Sequence, residues 1–400
     1  MPDKTEAIVV GGGPAGLTAA VALAAGGVPT VLVGRKPPQV DNRTTTLLAS
    51  SVTALETLGV WKHCRAHAAP LKTMRLVDDT GRLWRAPEVA FSCEEIGLDA
   101  FGYNIENRHL VAALEARGAS LPLLRMVDDD VLGVVAASDH VLVETKHTHA
   151  FTAPLAIGAD GRRSLCREAA LIDTTERRTP QTALTVCFVH TRPHNDTSTE
   201  FHTVTGQCTV VPLPGQRASL VWVLGPGEAE EKAALDDADL SLAIERASHS
   251  ILGKISVEPG RGLFPLTVVS AQRFATGRIA LVGEAAHVIP PVGAQGLNLG
   301  LRDAAAIAEL VADAWKAGRD VGAEDVLVRY DRARRADIGT RTLAVDLLNR
   351  SLLTGFLPVQ SARGLGLYAL QKLGPLRRIV MRQGVAPAAS QPRLMRGMAL

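Results

Sequence analysis

The chain is short of cysteine and shorter still of aromatic rings. Its 400 residues hold five cysteines, Cys64, Cys93, Cys166, Cys187 and Cys208, scattered, odd in number and never in a close ligand pair. That spacing excludes a disulfide framework and offers no zinc or iron–sulfur set, so the thiols read as reduced core residues and no metal is expected. Aromatics make up 4% of the chain, too few for the stacking platforms that bind unpaired bases. An excess of one charge is missing too. Lys and Arg number 43 against 41 Asp and Glu, a formal +2 with no basic stripe, which argues against nucleic acid as a partner. No run of about 18 apolar residues occurs, so no transmembrane helix is expected. The opening Met-Pro-Asp-Lys-Thr-Glu is polar and carries no signal segment, and a cytoplasmic protein is expected. Four hundred residues exceed one ordinary core, so a second domain, inserted or appended, is expected.

What the chain does have is glycine in particular places. Glu6 to Val10 is a short apolar strand, Gly11-x-Gly13-Pro14-Ala15-Gly16 follows, and a small-residue helix leads to a second strand at 29–33. This is the pattern of a βαβ dinucleotide-binding unit. Gly11 allows the tight turn, Gly13 lets a pyrophosphate approach the backbone, and Gly16 lets the helix pack on the sheet. The acid that normally ends the second strand and binds the adenosine ribose is missing, because Val33 is followed by Gly34-Arg35-Lys36. Two readings stay open: Arg35 and Lys36 meet the 2′-phosphate of NADP, or other groups hold the ribose of a different dinucleotide. On the second reading the ribose is expected to be under-bound, and an acid at Gly34 to strengthen dinucleotide binding by about 1 kcal/mol.

Late in the chain an apolar strand, Arg278 to Gly283, meets a loop rich in proline and glycine, and a helix opens near Gly296. Gly293 and Gly296 remove the Cβ atoms that would block a flat ligand, while Pro290 and Pro291 stiffen the loop. The N–H groups of Gly296, Leu297 and Asn298 would then point at an electron-rich edge, where the helix dipole favours negative charge. Between the two glycine-rich regions, Ala153 to Ser164 reads as a buried strand ending in Asp160-Gly161-Arg162-Arg163-Ser164.

These three segments, in this order, resemble the single-component FAD-dependent aromatic hydroxylases of the p-hydroxybenzoate hydroxylase fold. The phrase Gly293-Ala-Gln-Gly-Leu-Asn-Leu-Gly-Leu-Arg-Asp303 is most similar to the ubiquinone-biosynthesis hydroxylases of the UbiH/UbiF/VisC group, and the likeness spans roughly residues 5–340. Asp41-Asn-Arg43 and Asn107-Arg108-His-Leu110 support it, and Glu284 stands where that group more often has Asp. The resemblance implies FAD contacts from Gly11, Gly13, Pro14, Ala15, Gly16, Arg43, Arg108, Asp160, Glu284, Pro291, Gly293, Gly296, Leu297 and Asn298. In it, Arg43 and Arg108 neutralise phosphate or pack beside adenosine, and Asp160 and Glu284 accept hydrogen bonds from ribitol hydroxyls or loop N–H groups. It also implies NADPH or NADH as a transiently docked reductant, and O₂ delivered through a flavin C4a-hydroperoxide to an electron-rich ring carbon.

The expected fold is α/β. An FAD-binding Rossmann-like domain, discontinuous over 1–73, 102–178 and 275–340, is interleaved with a mainly antiparallel β substrate domain at 74–101 and 179–274, and a C-terminal helical segment follows at 341–400. The substrate domain shows in β-branched apolar runs at 185–190, 200–204, 208–211 and 218–224, separated by turn residues. His190 and His202 lie on those runs, and alternation along a strand leaves open which face each takes. His287, just past the late motif, reads as a structural hydrogen-bonding residue ahead of a proton carrier, so the residue that activates the phenol stays unassigned. In the tail, Leu343, Leu347 and Leu348, then Leu370, Leu373 and Leu376, recur at helical spacing with Lys372, Arg377, Arg378 and Arg382 among or beyond them. Two readings stand: helices packed on the body, or a basic amphipathic patch on the inner face of a membrane. The expected function is hydroxylation of a polyprenylated phenol or quinone precursor in ubiquinone biosynthesis, with other enzymes of that pathway as partners. The alternatives are a hydroxylase of a small soluble aromatic, a flavin-dependent isoprenoid reductase, and a prenyl carrier without catalysis.

Overall fold

A computed structural model describes residues 2–36, 43–81, 87–147, 149–291, 293–353, 373–385 and 391–400. Leu370 and Lys372 of the tail lie outside these residues, as do the side chains of Leu343, Leu347, Leu348 and Leu376. The first layer is a six-stranded sheet built on Ala7–Val10, with Leu155–Gly158 on one side and Thr30–Val33 on the other, all parallel. Leu124–Val127 extends it beyond Thr30–Val33, Ile279–Leu281 adds in parallel next to Leu155–Gly158, and Ala275–Thr276 closes that edge antiparallel. Ala7 to Val10 are at most 2% exposed, because the Pro14–Ala25 helix and the strands Val141–Thr145 and Ala150–Ala153 of a separate sheet share their core, and a strand buried on both faces must be apolar throughout. The Pro14–Ala25 helix lies against the Gln295–Lys316 helix, and the buried alanines 19, 20, 22, 304, 305 and 308 let the two approach closely.

This topology explains why three distant motifs meet. Gly11 follows Ala7–Val10, Asp160 follows Leu155–Gly158, and Gly283 follows Ile279–Leu281. The three strands are parallel neighbours, so their outgoing loops emerge side by side at the carboxyl end of the sheet, where open α/β sheets bind ligands.

The second layer is a larger sheet. Its strands run in the order His287–Val288, Gly262–Ala271, Thr174–His190, Arg217–Leu224, Gln207–Leu213, Thr197–His202, Thr73–Asp78 and Val89–Ser92. All these neighbours are antiparallel except Thr197–His202 with Thr73–Asp78, which pair in parallel. Leu184, Val186, Phe188, Phe201 and Val210 form one core with Ala229, Leu240 and Ile244 of the helices Pro226–Ala234 and Asp237–Ala247. Alternation along each strand sends Ala183, Thr185, Glu200, Thr209 and Val221 to the other side, toward the nucleotide-binding layer.

A 30-residue helix, Glu324–Leu353, follows the Gln295–Lys316 helix. The Gly374–Val385 helix docks near the Val89–Ser92 edge: Arg377 pairs with Glu95 at 2.6 Å and lies over the Phe91 ring, and Met381 is buried with Cys93 and Phe101. The expected architecture of a Rossmann-like layer, an antiparallel sheet and C-terminal helices is the one present. All five cysteines are buried, and burial pushes the Cys187 and Cys208 thiols up to about 12 and Cys64 up to about 11, so they are inert core residues. Among the described residues no helix is long and apolar enough to cross a membrane.

Candidate active site

The first turn divides its glycines by task. Gly11 has φ of 121°, and a Cβ on it would sit 2.2 Å from the Ala159 carbonyl oxygen; one on Gly16 would sit 2.0 Å from the Gly11 carbonyl oxygen. The fold itself requires both. Around Gly13, which is extended at φ −77°, a Cβ would meet nothing within 4 Å, so the protein leaves this space open.

Gly34 overturns one expectation. A Cβ there would lie 2.4 Å from the Gly12 amide nitrogen and 2.9 Å from the Gly11 carbonyl carbon, so an acid at this position would displace the dinucleotide turn. Close packing of the second strand on the turn explains the missing acid. Nor does Arg35 wait for a 2′-phosphate: its guanidinium is paired with Asp130, while the backbone amide of Lys36 donates to Asp128 at 3.1 Å.

A cavity of about 520 Å³ joins the two layers. Gly13, Pro14, Ala15 and Arg43 line it from the N-terminal part of the chain, and Glu284, Pro291, Gly293, Gly296 and Leu297 from the late loop. Thr185, Glu200, Thr209, Val221 and Phe264 line it from the antiparallel sheet, and Leu48, Leu71, Met74 and Phe101 add an apolar wall. Most of the residues singled out in the sequence therefore surround one space. Five stand back from its surface: Asp160, described below, and four with identifiable reasons. Gly11 and Gly16 are packed against backbone, as above. Asn298 ties the late helix to a strand: its Oδ1 accepts from the Leu48 amide at 2.9 Å and its Nδ2 donates to the Thr46 carbonyl at 2.7 Å. Arg108 donates to Glu106 at 2.8 Å, and Arg217 reaches the same carboxylate at 3.2 Å. Burial alone would raise the Glu106 pKa, but the two guanidiniums hold it below the usual carboxylate range.

Two buried carboxylate or amide oxygens at this site have no partner among the described residues. Asp160, between the lining residues Ala159 and Gly161, accepts from the Cys166 amide through Oδ2 at 3.1 Å, while its buried Oδ1 has none. Burial raises its pKa. Asn107 lines the cavity and its buried Oδ1 is equally unpartnered. Unsatisfied buried acceptors are costly unless a ligand supplies donors, and the hydroxyls of a ribitol or ribose chain would. Asn107 was passed over in the sequence in favour of its neighbour Arg108. The signal was available in its place at the strand-to-helix junction 106–107.

The late loop enters its helix through Ala294 in the left-handed region, φ 54°, with no side chain capping the first turn. The N-terminal amides and the positive end of a 22-residue helix are thus left for an anion or a polarised carbonyl edge. Behind the loop lies a buried charge network absent from the sequence-based reading. Asp303, 0% exposed, accepts from the Gly283 amide at 3.0 Å, from His287 Nε2 at 2.7 Å and from Arg334 Nε at 2.6 Å. Burial works to raise the Asp303 pKa, yet Arg334 and His287 together bring it below its ordinary value. His287 is thereby fixed as a structural residue. Of the two strand histidines, His190 is buried in the lower-pKa, neutral direction away from the cavity wall, whereas His202 bonds Glu200 at 2.6 Å. Open space over Gly13, unsatisfied acceptors at Asp160 and Asn107, and an uncapped helix start together fit a flavin dinucleotide.

Comparison with known proteins agrees with this chemistry. The model of the FAD binding domain family matches residues 4–344. The chain is 32% identical over 409 residues to ubiquinone hydroxylase UbiL of Rhodospirillum rubrum, covering 100% of this chain and 94% of that protein. It is 30% identical over 385 residues to the 3-demethoxyubiquinol 3-hydroxylase of Escherichia coli, covering 94% and 97% respectively. The p-nitrophenol 4-monooxygenase PnpA of Pseudomonas putida shares the fold, with a TM-score of 0.78 at 19% identity over 95% of this chain and 97% of that one.

Proposed function

The chain belongs to the FAD binding domain family, and from that premise we propose that it hydroxylates the ring of a prenylated phenol or quinone precursor in ubiquinone biosynthesis. It is an FAD-dependent aromatic hydroxylase that uses O₂ and a nicotinamide reductant. The observation that carries the reading is the shared cavity, in which three strand-end loops suited to a dinucleotide face the antiparallel sheet beside an apolar wall suited to a ring.

Reduced FAD, when bound, supplies the activated oxygen; the protein binds, orients and keeps water away. Gly13 backbone and Arg43 would hold the pyrophosphate, with Gly11, Pro14, Ala15 and Gly16 shaping the turn. Asp160, Glu284 and Asn107 would accept hydrogen bonds from the sugar chain. The amides of Gly296, Leu297 and Asn298, with Pro291 and Gly293 setting the loop, would stabilise negative charge on the flavin's pyrimidine edge. Arg108 would act one step removed, by fixing Glu106. We retain the division into an FAD-binding unit of 1–73, 102–178 and 275–340, a substrate unit of 74–101 and 179–274, and a C-terminal segment of 341–400.

The prenyl group is supported by the apolar wall. Met74 and Phe101 line the cavity and pack with Met381 of the C-terminal helix, next to which Leu373, Ile379 and Val380 are 53, 58 and 44% exposed. Arg378 and Arg382 are exposed on the same helix. A long prenyl chain leaves a bilayer at a cost of about 0.8 kcal/mol per CH₂, so an enzyme acting on one gains by meeting it at the membrane surface. We therefore place this helix against the inner face. Neutralising Arg378 and Arg382 should weaken binding to anionic liposomes by about 1 kcal/mol for each charge.

Deletion of the gene is the direct test of pathway. An accumulated quinone intermediate lacking one ring hydroxyl is the expected result, and fully hydroxylated quinone at normal levels would refute the assignment.

A further inference from the structure

We infer that Glu200 is the group that accepts the phenol proton during hydroxylation, and that His202 is its positioning residue. The inference rests on the hydroxylase reading above. A neutral phenol has a pKa near 10, so only about one molecule in a thousand is ionised at pH 7, and the ring is a poor nucleophile until the proton is gone. A group in the cavity must take it.

The ionisable side chains among the described residues lining the cavity are Arg43, Arg162, Glu200, Glu284 and His287. Arg162 and Glu284 face each other at 3.3 Å, and His287, on the edge strand of the sheet, is 1% exposed, with Nε2 held by buried Asp303 at 2.7 Å and Nδ1 buried. Arg43 is a cation with no proton to accept. Glu200 remains, and it stands on the antiparallel sheet, opposite the dinucleotide loops. Its side chain is 16% exposed and that of His202 10%, so the pair is largely withdrawn from solvent.

The strand explains the placement. Phe201 is 1% exposed in the core under the sheet, so its neighbours Glu200 and His202 share the cavity face. There His202 Nε2 meets Glu200 Oε1 at 2.6 Å, which fixes the carboxylate rotamer and leaves Oε2 as the acceptor for a ligand. Thr209, the cross-strand partner of Glu200, lines the same wall with a buried Oγ1 that has no protein partner. A substrate hydroxyl between Glu200 and Thr209 would satisfy both. The other groups facing this pair are Gln207 and Asp78, the register partners of His202, and Met74 and Leu76 beside Glu200.

The step balances without another reactant. The phenol O–H bond breaks, its proton bonds to Glu200 Oε2, and the electron pair stays on the phenol oxygen and enriches the ring carbon that takes the oxygen atom. Glu200 returns the proton to that oxygen when the ring carbon releases its own hydrogen to solvent as a proton, the C–H electron pair restoring aromaticity.

The test uses the FAD-loaded enzyme, 2-geranylphenol, and a ring-fluorinated analogue acidic enough to be ionised at the assay pH. E200Q should lower turnover of 2-geranylphenol by about a hundredfold and leave the fluorinated phenol unaffected, because general acid–base catalysis of this kind contributes 10²–10⁴-fold. Its rate on 2-geranylphenol should climb tenfold per pH unit toward the phenol's own pKa, where wild type is flat. H202Q, which keeps a donor to Glu200, should retain the flat profile, and H202F should lose it. Equal loss on both phenols with flavin content intact, or no loss on either, would overturn the assignment. Wild-type enzyme that oxidises its reductant but hydroxylates neither phenol would instead overturn the hydroxylase reading, and this step with it.

Discussion

Replacing Gly13 with Ala separates what the turn does for the fold from what it does for the ligand. Gly13 is extended and a Cβ there meets no protein atom within 4 Å, so the folded apoprotein accommodates the methyl. Removing glycine's freedom from the unfolded chain should even stabilise the apoprotein, by about 0.4–1 kcal/mol. The methyl would instead occupy the space assigned to the FAD pyrophosphate. Overpacking by one methyl typically costs about 1–3 kcal/mol, which becomes a rise in FAD Kd of roughly 5- to 150-fold. Gly16→Ala is the contrast: its Cβ would lie 2.0 Å from the Gly11 carbonyl oxygen, so apoprotein stability should fall. Thermal unfolding of the flavin-free variants and titration of FAD by fluorescence quenching read the two effects separately. A Gly13→Ala protein that binds FAD as wild type does, or that is destabilised as much as Gly16→Ala, would refute the placement of the pyrophosphate.

Other outcomes follow from the same contacts. Asp303→Asn removes the carboxylate charge that faces Arg334 and His287 and should destabilise the protein by about 3–5 kcal/mol. Because the Asp303 pKa is depressed in the folded state, its stabilisation is present above the carboxyl's unfolded pKa and is lost as pH falls through the folded one; the gap between wild type and variant should narrow below about pH 4, and a constant gap would count against the network. Gly34→Glu should lower both stability and FAD content through the clash with Gly12, and tighter FAD binding would revive the under-bound ribose. Phe201→Ala should cost about 3–5 kcal/mol, measured by denaturant unfolding, and a loss below about 1 kcal/mol would mean the sheet's outer core is loosely packed.

The parts of the site that were legible in the sequence are those fixed by backbone. Gly11, Asp160 and Gly283 each follow an apolar strand, and parallel strands send their loops to one end, so convergence follows from local pattern plus the right-handed crossover rule. Gly13 and Gly293 were readable because only glycine serves where backbone must stay bare. What escaped depends on contacts between elements. Gly34 looks like a lost acid until the Gly12 amide is found 2.4 Å from its would-be Cβ. Asn107 and Arg108 are adjacent, and only the angle at which the helix leaves its strand decides which faces the cavity. Glu200 and His202 sit two apart, so a shared face was implied, but which face depended on Phe201, whose burial under the Pro226–Ala234 and Asp237–Ala247 helices is a tertiary fact.

In the proposed reaction, oxygen from O₂ enters the ring of a prenylated phenol on an FAD held by these loops. This reaction is tested most directly by giving the purified, flavin-loaded protein a nicotinamide reductant, 2-geranylphenol and isotopically labelled O₂, and weighing the product by mass spectrometry. One labelled oxygen per ring with the prenyl double bonds intact is the predicted result. A product that carries no labelled oxygen, or whose prenyl chain has gained hydrogen, would contradict it.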